Sequence, residues 1–311
     1  MARTVQRARQ LHVRVAVADI ATSPEPSAGQ TSAWQTVRKY VNIYRVSLIE
    51  RMAYRGDFLL GSVLRFLPLI TTVLLWRAAY DGAPDPPGGG PKAFQGFTFE
   101  EMIAYLLLVH ISRMFSSMPG LAGGIARDIR DGTLKKYLIQ PLDLIGYLLS
   151  YRAAHKSAYI VTSVIPYAIL FAIFSGILQN IHPPDALRLA AYFVSLLLGF
   201  AVGFFFETCI GMIGFWFLEI GSFLYVVNTV NFFVSGHLFP LDLLPPFWRP
   251  VFKVLPFKYL AYFPAAVFLG KVPGNELIEG LLIEAAWAVA LIVLARLLYA
   301  RGLRRYSAFG G

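Results

Sequence analysis

The sequence predicts an all-α integral membrane protein with six transmembrane helices. An N-terminal amphipathic helix lies along the membrane before them, a charged helical loop joins spans 2 and 3 in the cytoplasm, and a re-entrant helical hairpin joins spans 5 and 6. Three observations carry this. Of 311 residues, 57% are hydrophobic and only 15% charged, with mean hydropathy +0.58, whereas soluble domains carry about 25% charged residues. Several apolar runs are long enough to cross a ~30 Å hydrocarbon core, and none alternates in the segments of about ten residues that a barrel needs. Finally, 18 of the 28 Lys and Arg residues fall in residues 1–57, in residues 119–157 and from Arg301 to Arg305. This positive-inside pattern places both termini and the loop between spans 2 and 3 in the cytoplasm, which requires an even number of spans.

Residues 1–35 differ from the rest. Arg3, Arg7, Arg9 and Arg14 precede the first acid, Asp19, and Ser23-Pro24-Glu25-Pro26-Ser27 reads as disordered linker. The Arg-rich start resembles a transit peptide, and reads here as a disordered, basic cytoplasmic tail. Over 36–57, Val37, Tyr40, Val41, Tyr44, Leu48 and Met52 form one helical stripe, with Arg38, Lys39, Asn42, Arg45 and Arg51 facing away, as in an interfacial helix. Residues 58–305 form the six-span domain. Span 1 runs from Phe58 to Tyr80, span 2 from Phe99 to Met118, span 3 from Tyr159 to Leu178 and span 6 from Leu281 to Tyr299. The block from Leu187 to Ser235 is too long for one span, and Glu207, Gly211, Gly214 and Glu219 divide it into spans 4 and 5. Gly199 and Gly203 have the spacing that lets helices approach closely in lipid.

Between spans 2 and 3 lies a charged island, loop 121–142. Ile125 and Ile129 make one short apolar stripe, and Leu134, Tyr137 and Leu138 a second. Gly132 breaks the two, Thr133 is placed to cap the second, and Pro141 stops it. The island reads either as a solvated loop that sets topology or as a docking surface for a soluble partner. Between spans 5 and 6, residues 236–264 hold six prolines, all within the 25 residues 240–264, yet stay apolar and aromatic. Irregular backbone near membrane depth survives only where it is buried in protein or lines a cavity. The stretch therefore reads as two short helices dipping in from the outer face, with Trp248, Tyr259 and Tyr262 at interface level.

This order of elements resembles the permease subunits of ABC-2-type (type V) ATP-binding-cassette exporters. Ile129-Arg130-Asp131-Gly132-Thr133-Leu134, followed by Gln140-Pro141-Leu142, is similar to that family's coupling segment, most of all to a bacterial ABC-2 permease subfamily with an R-x-G-x-L…P-L pattern. Phe233-Val234-Ser235-Gly236, with Pro240-Leu241, Leu244-Pro245 and Leu255-Pro256-Phe257, is similar to its re-entrant element. The resemblance implies a permease in the bacterial inner membrane that dimerises, with itself or a related permease, and docks one cassette ATPase per protomer. The coupling residues would be Arg127, Asp128, Ile129, Arg130, Asp131, Leu134 and Lys135, with Ile129 and Leu134 filling a groove on the partner. The gate would comprise Gly236, Pro240, Pro245, Trp248, Pro256 and Phe257. An amphipathic or lipid-like substrate would leave along the dimer interface, with ATP and Mg on the partner ATPase. Consistent with that division, the sequence has no Gly-x4-Gly-Lys-Ser/Thr; Gly270-Lys271 lacks both the upstream Gly and the following hydroxyl.

Ionisable residues within spans are candidates for function. Arg65, Arg113, Glu207 and Glu219 are all expected in the inner half, so pairing among the last three is geometrically open, as is contact with substrate. Glu284 begins span 6 and reads as interfacial. The five histidines, at 12, 110, 155, 182 and 237, show no ligand spacing, and the lone Cys209 allows neither an intrachain disulfide nor a thiolate cage, so no metal site is expected. Two other function classes compete with this one. An ion-coupled secondary transporter using the intramembrane Arg and Glu residues calls for midplane carboxylates and an inverted repeat. A membrane-embedded lipid-modifying enzyme calls for His, Asp and Glu clustered at one face. Neither pattern is clear, and the permease reading is preferred.

Overall fold

The structure, a computed structural model, describes residues 33–53, 55–86, 90–179, 181–217 and 219–306; the side chains at 33, 55–60, 62, 63, 65 and 253 lie outside that description. Most of the expected basic tail, and the Arg65 side chain, therefore lie outside the described residues. The chain forms two compact units, Met1–Asn42 and Ile43–Gly311. Of the first, the described residues are the opening turns of α1 (Ala33–Ala53). All packing that follows belongs to the second.

Among the described residues, four helical stretches are long and apolar enough to cross a membrane: Phe99–Arg130, Leu144–Leu178, Ala186–Phe215 and Gly274–Arg305. In chain order the helices are α2 (Arg55–Gly82), α3 (Phe99–Ser116), α4 (Leu121–Arg130), α5 (Lys135–Leu138), α6 (Leu144–Leu178), α7 (Ala186–Met212), α8 (Gly221–Val234), α9 (Arg249–Val254), α10 (Tyr262–Phe268) and α11 (Gly274–Arg305). The charge-based boundary of span 3 moves: residues 144–158, read as loop, continue the span as one 35-residue helix. Their charges are absorbed by capping and packing. Asp143 accepts from Gly146 N–H at 2.8 Å, and the buried Lys156 donates to the Met114 carbonyl at 2.8 Å, closing the last turn of α3.

Around α3 and α7 the other helices are arranged. Of the apolar window in the Phe99–Arg130 stretch 61% is buried, and of that in the α7 stretch 50%, against 17% for α6 and 22% for α11. The outer two therefore turn apolar flanks such as Val161, Ile165, Ile169 and Ile173 outward, which suits lipid and not water. The close approach expected at Gly203 is real: a Cβ there would overlap the Ser116 carbonyl, and one at Gly199 would sit 3.0 Å from the Tyr259 carbonyl. Against the other flank of α7 lies α11.

At one end a two-residue β-turn closes the hairpin Ala93–Phe94/Phe97–Thr98, with Gln95 and Gly96 at positive φ (48° and 83°), the pairing that suits the twist of a hairpin. Thr98 and Glu101 form a reciprocal cap on α3, and Lys271, just before α11, binds Glu101 at 2.6 Å. At the other end Tyr306 packs on Phe215 at 6.0 Å and lies beside Gly132. The end of α11 and the island thus share one end of the bundle. From Ile43 onward α1 joins the same end: Tyr44 donates to Ser157 at 2.9 Å, and Arg51 donates to the Tyr151 hydroxyl. Arg51, expected to face away from the apolar stripe, instead faces α6, because the tyrosine ring beneath it offers both an acceptor and a π face at 5.3 Å.

Candidate functional site

The island is two helices, α4 and α5, hinged at Gly132, whose φ of 71° ends α4. Asp128 organises the hinge. Its backbone carbonyl accepts from Leu134 N–H at 2.9 Å, and its carboxylate accepts from Thr133 Oγ1 at 2.6 Å and Lys136 Nζ at 3.3 Å. Thr133 therefore ties the hinge back to α4 and does not cap α5, whose N-cap is Leu134 with no side-chain cap bond. Burial alone would lower the Lys136 pKa, but its contacts with Tyr137 and Asp128 raise it above the ordinary lysine range. Ile125 and Ile129 face α7, and Leu134 is 1% exposed. Ile129 and Leu134 are therefore not offered to a partner: they complete this chain's own core, since the hinge folds α5 back over α4.

What the loop does offer is charge and a different apolar set. Arg127, Arg130, Asp131 and Lys135 are exposed, and so are Leu138, Ile139 (83%) and Phe217 (63%). Arg130 pairs with Asp131 at 3.0 Å and with Glu219 at 3.1 Å. Glu219 sits in neither helix, because α7 ends at Met212, a 3-10 turn covers Ile213–Phe215, and α8 begins only at Gly221. This corrects its placement within a span: Glu219 belongs to the loop surface, not to a pair with Arg113.

At the opposite side of α3 lies the proline-rich element. Gly236 adopts φ 79°, and a Cβ there would sit 2.8 Å from Tyr105 Oη and 2.8 Å from Tyr262 Cβ. Tyr105 Oη donates to the Gly236 carbonyl, and Trp76 Nε1 donates to the Leu238 carbonyl at 3.3 Å. Tyr105 is six residues inside α3 and Trp76 six before the end of α2, so the backbone at 236–238 lies roughly 9 Å below those helix ends. Pro240 and Pro256 are buried and Pro245 and Trp248 exposed, while Phe257 stacks edge-on against Phe206 at 5.2 Å. Tyr262 donates to Asp242 at 2.7 Å. Tyr259, expected at interface level, is wholly buried instead, because the 3-10 helix Pro256–Leu260 turns it against Phe263 in the core.

With this geometry in view, the comparison with known families is decisive. The family model described as ABC-2 family transporter protein matches residues 66–310. The chain belongs to the ABC-2 transporter family. It is a multi-pass membrane transport subunit, and the family associates with ATP-binding-cassette subunits. No curated protein matches the chain.

The remaining intramembrane charges of this ABC-2 permease sort themselves around α7. The Glu207 carboxylate lies beside Ala122 in the first turn of α4, and the charges it faces are Arg113 and Arg152. Arg113 keeps Nη1 enclosed without a hydrogen-bond partner. Sequence reasoning missed two groups. Glu284 is not interfacial: α11 starts at Gly274, seven residues before the expected span, and Glu284 is 0% exposed, accepting from Ser195 Oγ at 2.8 Å. It lies in the buried stripe Leu277, Gly280, Glu284, Ala288, Leu291 and Ala295, which a helix apolar on every side does not mark out in sequence. The second group is the histidine pair His110 and His237, whose rings lie 5.3 Å apart although 127 positions separate them in the chain.

Proposed function

We propose that this chain is the permease subunit of an ATP-driven exporter that moves an amphipathic, lipid-like substrate outward, with energy from a separate cassette ATPase that binds ATP and Mg. In this reading α2, α3, α6, α7, α8 and α11 are six spans in the bacterial inner membrane, with both termini and the island cytoplasmic. Two permease protomers face one another and each carries one ATPase. The observation that carries the reading is the island itself, whose inner face is satisfied within the chain while its outer face exposes Ile139 beside four charged side chains. Arg127, Asp128, Arg130, Asp131 and Lys135 are the charged contacts, and Leu138, Ile139 and Phe217 supply the apolar anchor that Ile129 and Leu134 cannot.

Transmission follows the packing. The ATPase pushes α4, which packs against α7 where Ala122 and Ile125 meet Gly211 and runs on from α3. In turn α3 holds the proline-rich element at two points, Tyr105 to Gly236 and Ser116 to the Leu260 carbonyl at 2.6 Å. Displacing α3 therefore moves the element that roofs the path. The ion-coupled carrier loses one of its carboxylates, since Glu219 lies on the loop.

The test is ATPase activity of the purified complex with the cassette ATPase encoded beside the chain. The double reversal Arg130→Glu with Asp131→Arg is expected to uncouple hydrolysis from transport, but it also sets the introduced glutamate against Glu219. Adding Glu219→Lys restores pairing inside the chain while leaving the outward charges reversed. If the triple variant melts like wild type and stays uncoupled, the partner reads these charges; full recovery of coupling would sink the docking assignment. Ile139→Asp should weaken ATPase capture at least tenfold without changing permease stability.

A further inference from the structure

We propose that Arg113, His110 and His237 form a binding site for the anionic head of an amphiphile, inside the bilayer at the junction of α3 with the segment that follows α8. The proposal rests on the permease reading and narrows its substrate class.

Depth comes first. Arg113 is fourteen residues into α3 and His110 eleven, so they lie roughly 21 Å and 16 Å from its outer end. A guanidinium at such depth is expensive unless it is paired. Among the described residues no carboxylate lies within 4.0 Å of Arg113; the one whose charge it faces, Glu207, is shared with Arg152. One carboxylate between two guanidinium groups leaves positive charge in excess.

The hydrogen-bonding account points the same way. Arg113 Nη1 and His237 Nδ1 are both enclosed and without partners. Arginine has only donors and histidine has at least one, so an acceptor of negative charge satisfies the set and a cation does not. A metal ion fits less well, because no group of three His, Cys, Asp or Glu exists among the described residues. His110 faces His237 at 5.3 Å, and Arg113 and His110 are the charged neighbours of His237. Each of the three side chains is part-exposed.

The surroundings explain why the anion is an amphiphile's. The Phe232 ring lies 4.4 Å from His237, and Phe232 and Phe233 are exposed, at 37% and 51%, along with Val226 and Val230. An apolar strip thus runs directly from Arg113 and the two histidines along α8. A free anion would leave that strip unused; a phosphate or carboxylate head on an acyl chain uses both.

The test measures ligand binding to the purified full chain in neutral detergent, by native mass spectrometry. The ligands are dioleoylphosphatidylglycerol, dioleoylphosphatidylcholine and inorganic phosphate. Phosphatidylglycerol should bind at least tenfold more tightly than phosphatidylcholine. Arg113→Gln should remove most of that preference, Arg113→Lys should keep part of it because a point charge replaces a fork, and His237→Gln should lower it several-fold. Arg304→Gln with Arg305→Gln, exposed at the end of α11, should leave it unchanged. Should Arg113→Gln not fold, His237→Gln and His110→Gln carry the test alone. Equal binding of the two lipids overturns the proposal, as does an equal loss from the Arg304/Arg305 variant. Inorganic phosphate binding as tightly as phosphatidylglycerol overturns the amphiphile. Because no ATPase takes part, lipid selectivity without ATPase coupling would leave this site standing and remove the exporter reading.

Discussion

Glu284 shows what a single buried group demands. One oxygen accepts from Ser195 at 2.8 Å and the other has no partner, in a site closed by Gly199 of α7. A neutral amide of the same shape keeps an acceptor for Ser195 and removes the cost of enclosing a charge. Glu284→Gln is therefore expected to melt within about 1 kcal/mol of wild type, and Ser195→Ala to lose about 1 kcal/mol. Glu284→Lys, an unpaired cation in the same space, should lose roughly 3 kcal/mol or more, or fail to fold. Thermal unfolding in detergent separates these outcomes. Equal melting of the glutamine and lysine variants would mean that the site is open to water.

At the scale of elements, helix approach is set by small side chains and loop shape by hydrogen bonds. Gly203 lets α7 touch the end of α3; Gly203→Val is expected to abolish the folded, monodisperse protein, since the contact beneath it is backbone and cannot yield. Asp128 is the tie within the island. Asp128→Ala releases Thr133 and Lys136, so amide exchange at 133–139 should rise about tenfold or more while α3 and α7 stay protected. An unchanged exchange pattern would show that Leu134, buried beneath α5, holds the hinge by itself. The island's Gly132 break was legible in the chain, whereas its downstream boundary was not, because residues 144–158 carry charge yet continue span 3 as helix. Which side of the island faces outward was not legible either: Leu134 and Leu138 lie on one stripe, yet the fold buries the first and exposes the second.

On the scale of the whole second unit, its described basic segments gather at one end. The described part of α1 from Ile43 onward, the island and the end of α11 meet there, while the hairpin, Lys271 and the cap of α3 mark the other. With Cys209 replaced by Ser, single cysteines at Ile139 and at Ala83 should label from opposite sides of right-side-out vesicles: Ala83→Cys with a membrane-impermeant maleimide at once, Ile139→Cys only after lysis. Labelling of both from outside would overturn the six-span topology.

The sequence by itself determined the membrane class, the helices, the expected sidedness and the family-like phrases around Gly132 and Gly236, because hydropathy, charge asymmetry and turn residues act locally along the chain. Only the tertiary structure decided which Glu meets which Arg, that His110 and His237 are neighbours, and that Glu284, Ile129 and Leu134 are inside. The reason is the solvent. In lipid the outward and inward faces of a helix are both apolar, so the periodicity that marks a core face in water is nearly erased. What then fixes the helix faces is packing at glycines and the pairing of a few buried polar groups, and neither is written in the spacing of one segment.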